Sequence, residues 1–378
     1  MNWLEKRFRL SENKTTVKTE IFAGITTFMT MAYILVVNPD ILSAAGMDTG
    51  AVLTATAVAS ALATFCMAFF SNYPFALAPG MGLNAYFAYT IVLQYGYSWR
   101  QALAAVFIEG VVFIILSLAN VRELIFDSIP LNLKSAVSVG IGLFIAFIGM
   151  QNAGIIVQDE ATLVARGSMD NITVVLALIG TVITVVYALK KVRGALLWGI
   201  LTTYLLGILC QLIGIYQVDP AMGRYSFLPS GIISMPPSLG PGLFQMDFGG
   251  IFSLDFIIIA FSLLFVDLFD TLGTLIGVSE KSGFLDEDGK LPKIKGAFLA
   301  DAIGTTAGAM LGTSTVTTFV ESSAGVADGG RTGDVYKRQV PGSKGRFLAG
   351  GFWYRNSSGY FAYWRTEMGR RQCCHQRR

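Results

Sequence analysis

Apolar stretches recur along the first 330 residues of this 378-residue chain, and each is about 20 residues long, enough to cross a bilayer. Hydrophobic residues make up 53% of the sequence and charged residues only 14%, whereas soluble domains carry about 25% charged residues. One soluble core could not bury so many apolar stretches. The sequence therefore predicts an all-α polytopic membrane protein.

Hydropathy predicts ten membrane spans, of which the last two are short and rich in Gly, Ser and Thr. The spans lie near residues 20–39, 51–70, 75–95, 101–119, 135–153, 172–189, 194–216, 254–278, 296–312 and 314–329. If the N-terminus is placed inside, the inner segments carry fourteen Lys and Arg and the outer loops carry three. Because basic residues are enriched in cytoplasmic loops, we expect a cytoplasmic N-terminus.

Two other segments of the chain can be interpreted from composition. The segment 121–134 is short and amphipathic, so it is predicted to lie along the inner interface. No apolar region with a cleavage site precedes the first span, and no signal peptide is predicted.

Two carboxylates lie inside the eighth span, which reads IIIAFSLLFVDLFDTLGTLIGV. Asp267 and Asp270 are three residues apart, so a helix places them on one face. Acids at membrane depth cost free energy and typically mark a substrate or ion path. A structural role, as a cap or as the partner of a neighbouring helix, is the alternative. No Lys or Arg lies near the centre of a predicted span, so we expect no ion pair at that depth.

The third and tenth spans are predicted to be interrupted. Pro74, Pro79 and Gly80 cluster in the first half of the third span, where proline removes a backbone donor and glycine loosens a helix. We expect an extended stretch there, followed by a half-helix that starts near Met81. The tenth span is polar and β-branched before Glu321, where a second half-helix can begin. Interrupted segments at matching places in two halves are typical of a transporter site between inverted repeats, although each alone could be a kinked span.

Four other polar residues are interpreted one by one. The Glu321 carboxylate at the second break can accept from a ligand N–H, or it is a helix-terminal acid. Asn84 can offer a donor and an acceptor to a heterocycle, or it caps the first half-helix. Glu109 is interpreted equally as a structural residue or a relay, and Asp301 as a surface residue. Because His375 is the only histidine, a proton relay in the spans must use carboxyls.

Four motifs resemble those of one known family. They are ITTFMTMAYILVVNP (25–39), ALAPGMGLNAYFAYT (76–90), FVDLFDTLGTLIGV (265–278) and GTSTVTTFVESSAGVADGGRTG (312–333). The motifs are similar to those of the AzgA-like branch of the nucleobase–cation symporters, within the xanthine/uracil permease superfamily. The likeness covers about residues 1–333. It implies secondary active import of adenine, guanine and hypoxanthine by proton symport, with no enzyme activity, cofactor or metal.

The resemblance also implies a fold and a site. The fold is a uracil-permease-like arrangement of seven plus seven spans in inverted repeats, incomplete here, with about ten spans present and short extended segments in spans 3 and 10. Residues 1–134 and 251–333 form parts of a core domain that holds the substrate, residues 135–250 form part of a gate domain, and the two move relative to each other as an elevator. Matched by motif, the substrate-binding residues are Asn84, Asp267, Glu321, Ala78 and Thr318, and the proton-coupling residues are Asp270, Asp267 and Glu321.

The resemblance implies partners and a location as well. The partners are a purine nucleobase, a coupling proton and the lipid bilayer of the bacterial inner membrane, and a homodimer is left open. Three alternatives are weighed against this reading. An anion transporter of the same architecture needs a cation near the two half-helices, and an intramembrane protease needs two facing acids on different helices. The third alternative is an inactive fragment of a permease.

The last 45 residues, 334–378, differ from the rest of the chain. From Arg331 onward there are eleven Lys and Arg against two acids, whereas residues 1–330 hold 17 against 23. The basic excess therefore gives no reason to expect nucleic-acid binding. No apolar stretch of membrane length follows where the family's spans eleven to fourteen are expected. We interpret this tail as an out-of-frame or adapter-derived translation, with a basic amphipathic tail as the alternative.

Without those spans we expect the polypeptide as written to fold poorly and to transport weakly or not at all. The measurement is purine uptake by this chain beside a version with an intact second repeat. Equal uptake by the two would show that the expectation is wrong.

Overall fold

The computed structural model describes residues 8–128, 130–159, 162–190, 192, 195–218, 226–228, 235–250, 253–286 and 290–332. Its helices are α1 (Val17–Met31), α2 (Ile34–Ser43), α3 (Thr49–Phe70), α4 (Met81–Ala85), α5 (Trp99–Leu118), α6 (Val121–Ser128), α7 (Leu131–Asn152), α8 (Ile172–Leu189), α9 (Ala195–Leu212), α10 (Leu254–Ser282), α11 (Ile294–Leu311) and α12 (Ser322–Ala327). A π-helix (Tyr86–Gln94) continues α4. The strands are β1 (Leu77–Pro79), β2 (Ile156–Asp159), β3 (Leu163–Arg166) and β4 (Val316–Thr318).

Helices occupy the predicted spans, apart from the third and the tenth. Within the described residues, five helical segments are long and apolar enough to cross a membrane: Val17–Ser43, Thr49–Phe70, Trp99–Leu118, Ile172–Leu189 and Leu254–Glu280. Large apolar side chains lie exposed on their outer faces, as Phe22, Phe65 and Phe261 do, and such faces suit contact with lipid. The number of spans and the division into core and gate parts stay predictions. The predicted tail lies outside the described residues.

The third and tenth spans are interrupted where proline, glycine and β-branched residues predict it. In the third, the strand β1 leads into the short helix α4. In the tenth, the strand β4 leads into α12, which begins just after Glu321. The sequence did not predict that the two strands pair antiparallel, with Ala78 opposite Thr317. The chain is thus mostly helical, and β2 and β3 form a second two-stranded ribbon in the loop between α7 and α8.

The outer edges of the β1–β4 ribbon are capped by threonines from neighbouring helices. Thr64 of α3 accepts from the Leu77 N–H at 3.0 Å. Thr305 of α11 accepts from the Val316 N–H at 3.3 Å and donates to the Val316 carbonyl at 2.9 Å. Extended backbone at membrane depth is tolerated only where protein or a cavity satisfies its polar groups. The two threonines therefore make the interruption of both spans possible.

Close helix contacts hold the ribbon in the interior. The helix α11 packs against α3 and α5, and small residues lie at the crossings. A Cβ on Gly110 of α5 would come 2.7 Å from the Thr306 backbone nitrogen. Small residues allow helix backbones to approach closely in membranes. The Gly110 position therefore fixes the distance between α5 and α11.

We expect Gly110→Ala to destabilise the fold by about 1–3 kcal/mol, because an added methyl must separate two packed helices. The matched control is Gly140→Ala in α7, where an added Cβ meets nothing within 4 Å. Thermal unfolding of the purified chain in detergent measures both. A Gly110→Ala midpoint equal to that of the control would contradict the packing described.

Candidate functional site

A cavity of about 470 Å³ lies between the ribbon, α4 and α10. Its lining is mostly apolar, with polar groups at two acids, three threonines and a tyrosine. The lining residues are Tyr33, Gly80, Met81, Gly82, Leu83, Gly142, Phe265, Val266, Phe269, Asp270, Gly273, Thr274, Gly277, Thr317, Thr318, Phe319, Val320 and Glu321. An apolar pocket with a few converging polar groups is the usual form of a small-molecule site.

The two acids reach the cavity from different elements. Asp270 lies in the middle of α10, and its Oδ2 sits 3.3 Å from where a Cβ on Gly80 would be. Glu321 is the residue before α12, and its Oε1 accepts a hydrogen bond of 2.6 Å from the Tyr33 hydroxyl. Both carboxyls are only partly buried. They can therefore accept hydrogen bonds from a ligand.

Donors face the same space from the ribbon and from α4. The Thr318 hydroxyl is buried and has no hydrogen-bond partner among the described residues. Helix α4 begins at Met81, and the N–H groups of a first helical turn have no partner inside the helix. The equivalent groups of α12 are occupied, since the Ser323 and Ala324 N–H groups donate within the turn at 3.0 and 2.9 Å. Of the two half-helices, α4 is therefore the better placed to donate backbone N–H groups to a ligand in this cavity.

The apolar walls suit a flat ring. Phe265 and Phe269 of α10 lie with their rings 4.7 Å apart in an edge-on arrangement, and Met81, Leu83 and Phe319 close the other sides. Aromatic and thioether side chains make favourable contacts with aromatic rings. The cavity can thus hold a small heteroaromatic solute with both hydrogen-bond donors and acceptors.

The structure brings three of the six predicted site residues to the cavity. Asp270, Glu321 and Thr318 line it. Asn84 is fully buried, and its Oδ1 accepts from the Ser314 hydroxyl, which ties α4 to the segment before β4. Ala78 is fully buried in β1.

Asp267 is fully buried and lies in a polar cluster behind the ribbon. The Thr271 hydroxyl lies 3.3 Å from Asp267 Oδ1, 3.1 Å from Asp301 Oδ1 and 3.0 Å from the Thr317 hydroxyl. Glu109 of α5 accepts from the Thr315 hydroxyl at 2.9 Å. The cluster therefore contacts β4 and the residue before it, and Thr317 belongs to both the cluster and the lining of the cavity.

The cluster contains an ion pair that the sequence analysis did not predict. Arg122 Nη2 lies 3.1 Å from Asp301 Oδ2, and both side chains are 0% exposed. The guanidinium lies between two rings, 3.8 Å from the Phe113 centroid and 4.6 Å from that of Phe298. The prediction of a surface Asp301 was therefore wrong, since an arginine outside the predicted spans reaches it in the interior. The only hint was an arginine at the start of a short amphipathic segment that follows directly on a span.

A second cavity of about 470 Å³ lies between α1, α3 and the stretch before β1. Its lining holds a single acid, Glu20, which already accepts from the Arg331 N–H at 2.8 Å. Its other polar lining residues include Thr27, Ser60 and Tyr73, whose hydroxyls already donate to backbone carbonyls, so it offers fewer groups to orient a polar solute. The cavity between the ribbon and α10 is the better candidate.

Helices of membrane length around two interrupted spans, with acids facing a cavity between them, define a polytopic membrane transporter. The Permease family model, Xan_ur_permease, matches residues 18–339. The chain belongs to this family of xanthine and uracil permeases, as the motifs indicated.

Similar proteins include three permeases that match most of the chain. A putative permease, MJ0326, of Methanocaldococcus jannaschii is 52% identical over 89% of this chain and 74% of its own length. The guanine/hypoxanthine permease PbuO of Bacillus subtilis is 45% identical over 86% of this chain and 73% of its own length. The adenine permease AdeP of Escherichia coli is 41% identical over 87% of this chain and 71% of its own length.

The fold is similar to that of a solved transporter. The transmembrane domain of a cyanobacterium bicarbonate transporter, BicA, aligns with a TM-score of 0.57 over 84% of this chain and 78% of that chain. The two are 17% identical, so this likeness concerns the fold alone.

We expect Arg122→Gln to destabilise the chain by about 3–5 kcal/mol, because it leaves the Asp301 carboxylate buried without its cation. The double variant Arg122→Gln with Asp301→Asn should recover much of this loss. The control is Arg9→Gln, since Arg9 and Glu12 are each 45% exposed and exposed pairs contribute about 0–1 kcal/mol. Unfolding in detergent measures all three, and an Arg122→Gln loss no larger than that of Arg9→Gln would contradict the buried pair.

Proposed function

We propose that the protein is a secondary active transporter that imports purine nucleobases by proton symport. The observation that carries the proposal is the cavity in which Asp270 and Glu321 face Thr318 and the start of α4. Relatives named as adenine permeases and as guanine/hypoxanthine permeases support the choice of purines. Adenine, guanine and hypoxanthine are the expected substrates.

The chemistry of the cavity fits the edges of a purine. Purines carry ring and exocyclic N–H donors, which the carboxylates of Asp270 and Glu321 can accept. They also carry unprotonated ring nitrogens, which can accept from the Thr318 hydroxyl or from the Met81 N–H. Hydrogen bonds to ionised groups are the strong ones, so the two acids should contribute most of the polar binding free energy. The phenylalanines of α10 would lie against the ring faces.

We infer elevator-type movement of a core domain against a gate domain in an architecture of inverted repeats. The ribbon supports the repeats: Thr64 caps β1 from α3, and Thr305 caps β4 from α11 in the same way. In this proposal α1–α6 and α10–α12 belong to the core, and α7–α9 belong to the gate. The positive-inside pattern supports a cytoplasmic N-terminus in a bacterial inner membrane.

Anion transport is the less favoured use of the same fold. An anion site needs a cation or enough free hydrogen-bond donors to offset the negative charge of its acids. The described lining of the cavity holds no Lys or Arg, and Arg122 is paired with Asp301 behind the ribbon. The alternative that this chain is an inactive permease fragment is decided by the measurements below.

The direct test is uptake of radiolabelled adenine, guanine, hypoxanthine and uracil in a strain that lacks its own permeases. Binding of the same compounds to the purified chain in nanodiscs separates recognition from transport. We expect purines to bind and uracil to bind more weakly. A chain that binds purines but does not transport them is the inactive fragment, and a chain that binds none of them contradicts the proposal.

We expect Glu321→Gln to abolish uptake in a version with an intact second repeat and to weaken purine binding by about tenfold or more, because a charged acceptor is worth about 1.5–3 kcal/mol. Tyr33→Phe should have a smaller effect, since the carboxylate remains and loses only one donor. Glu12→Gln, at a position that is 45% exposed, is the matched control. Normal binding by Glu321→Gln would refute the role of Glu321.

A further inference from the structure

Two carboxyl groups meet in the polar cluster behind the ribbon. Glu109 of α5 and Asp267 of α10 are 1% and 0% exposed, and their side chains lie within hydrogen-bonding reach of each other. Each uses one oxygen for a threonine: Glu109 Oε2 accepts from Thr315, and Asp267 Oδ1 lies 3.3 Å from the Thr271 hydroxyl. The second oxygens, Glu109 Oε1 and Asp267 Oδ2, have no donor among the described residues.

Carboxylates are acceptors only, so two ionised carboxyls cannot hydrogen-bond to each other. A proton on one of them supplies the missing donor and removes one of two adjacent negative charges. Carboxyl pairs that share a site behave in this way, and they titrate as a unit. A single proton can thus supply the donor that the pair lacks.

The surrounding charges do not offer another solution. The charged or titratable groups that face the pair in the described structure are Arg122 of α6, Asp301 of α11 and Asp270 of α10. Arg122 already pairs with Asp301 at 3.1 Å, and Asp270 adds another acid. The nearby cation therefore balances Asp301 and leaves the pair to be balanced by a proton.

We propose that Glu109 and Asp267 share one proton, and that this pair, rather than an acid of the substrate cavity, is the site that holds the coupling proton. The first half of this inference concerns the cluster alone, and the second half rests on the proposed function. Substrate and proton then occupy two neighbouring sites, which meet at Thr317 of β4. Glu109 is the new element, since it reaches the site from α5 and does not line the substrate cavity.

The threonines of β4 connect the two sites. Thr315 donates to Glu109, and Thr317 lies 3.0 Å from Thr271 while it also lines the substrate cavity. The single Thr271 hydrogen can point to Asp267 or to Asp301, but not to both. Loss of the proton leaves two negative charges beside the end of β4, which changes these hydrogen bonds and so the position of Thr318. Proton occupancy thereby favours the strand position that binds substrate.

Glu109 also lines a crevice of about 220 Å³ between α5 and α10, whose other lining residues are apolar. In the transport cycle the proton enters on one side of the membrane and leaves on the other, with no other bond formed or broken.

Infrared difference spectroscopy on the purified chain, recorded at low minus high pH in sodium-free buffer, tests the shared proton directly. We expect a protonated-carboxyl C=O band that both Glu109→Gln and Asp267→Asn remove, because an amide N–H replaces the proton as donor. Asp255→Asn, at an exposed position in the first turn of the same helix, should keep the band. A band that survives in Glu109→Gln would overturn the proposal, and so would a parent chain that lacks the band.

Binding of adenine at a series of pH values tests the coupling. In the parent chain the affinity should fall as the pH rises through the titration of the pair, by up to about tenfold per pH unit, because one proton is linked to one substrate. Glu109→Gln should bind adenine with an affinity that no longer depends on pH, and adenine addition should no longer take up protons from a weakly buffered solution. An unchanged pH profile in Glu109→Gln, or a requirement for sodium, would overturn the coupling role. If the parent chain binds no adenine, the proposed function fails, and the infrared result still decides whether the pair shares a proton.

Discussion

The structure depends on the hydrogen bonding of backbone that leaves the helix inside a membrane. Lipid offers no donors or acceptors, so an interrupted span must find partners within the protein. Here two interruptions satisfy each other, since β1 and β4 pair antiparallel from Leu77 to Pro79 and from Val316 to Thr318. Thr64 and Thr305 cap the edges that remain. Neither break would be stable without the other, which explains why polar chemistry can exist at this depth.

The acids of the core fall into two groups. Asp270 and Glu321 face an open cavity with apolar walls, whereas Glu109, Asp267 and Asp301 are buried in the adjoining polar cluster. Asp267 and Asp270 lie three residues apart on α10, yet Asp270 lines the cavity and Asp267 is fully buried in the cluster. Three residues along α10 are therefore enough to separate a group that can touch a solute from one that cannot. A shared face on a helix indicates proximity, but it does not indicate a shared site.

The sequence predicted the features that depend on the chemistry of neighbouring residues, namely the helices and the two breaks. Apolar length located the helices, proline and glycine located the first break, and β-branched residues before Glu321 located the second. It did not predict contacts between residues far apart in the chain. Arg122 and Asp301 are 179 residues apart, and the strands that pair are more than 230 apart. Each partner alone resembles an ordinary interface arginine, surface acid or kinked span. In the same way, no local pattern shows whether the Asn84 side chain faces a cavity or accepts a hydrogen bond from Ser314.

Charge balance in the core supports the proposed response to protons. Around the ribbon lie five acids, Glu109, Asp267, Asp270, Asp301 and Glu321, and one guanidinium among the described residues that face them. Buried charges that lack a partner are costly, and no histidine occurs in the spans. Four of the five carboxyls must therefore be stabilised by hydrogen-bond donors, by water, by substrate N–H groups or by protons. In the proposed function, a purine that donates to Asp270 and Glu321 supplies such donors in the cavity, and a proton supplies one in the polar cluster. Because β4 contacts both groups, filling one site would reduce the electrostatic cost of ordering the strand for the other. The proposed cooperation between solute and proton would then follow from the shortage of fixed cations, without a direct contact between the two ligands.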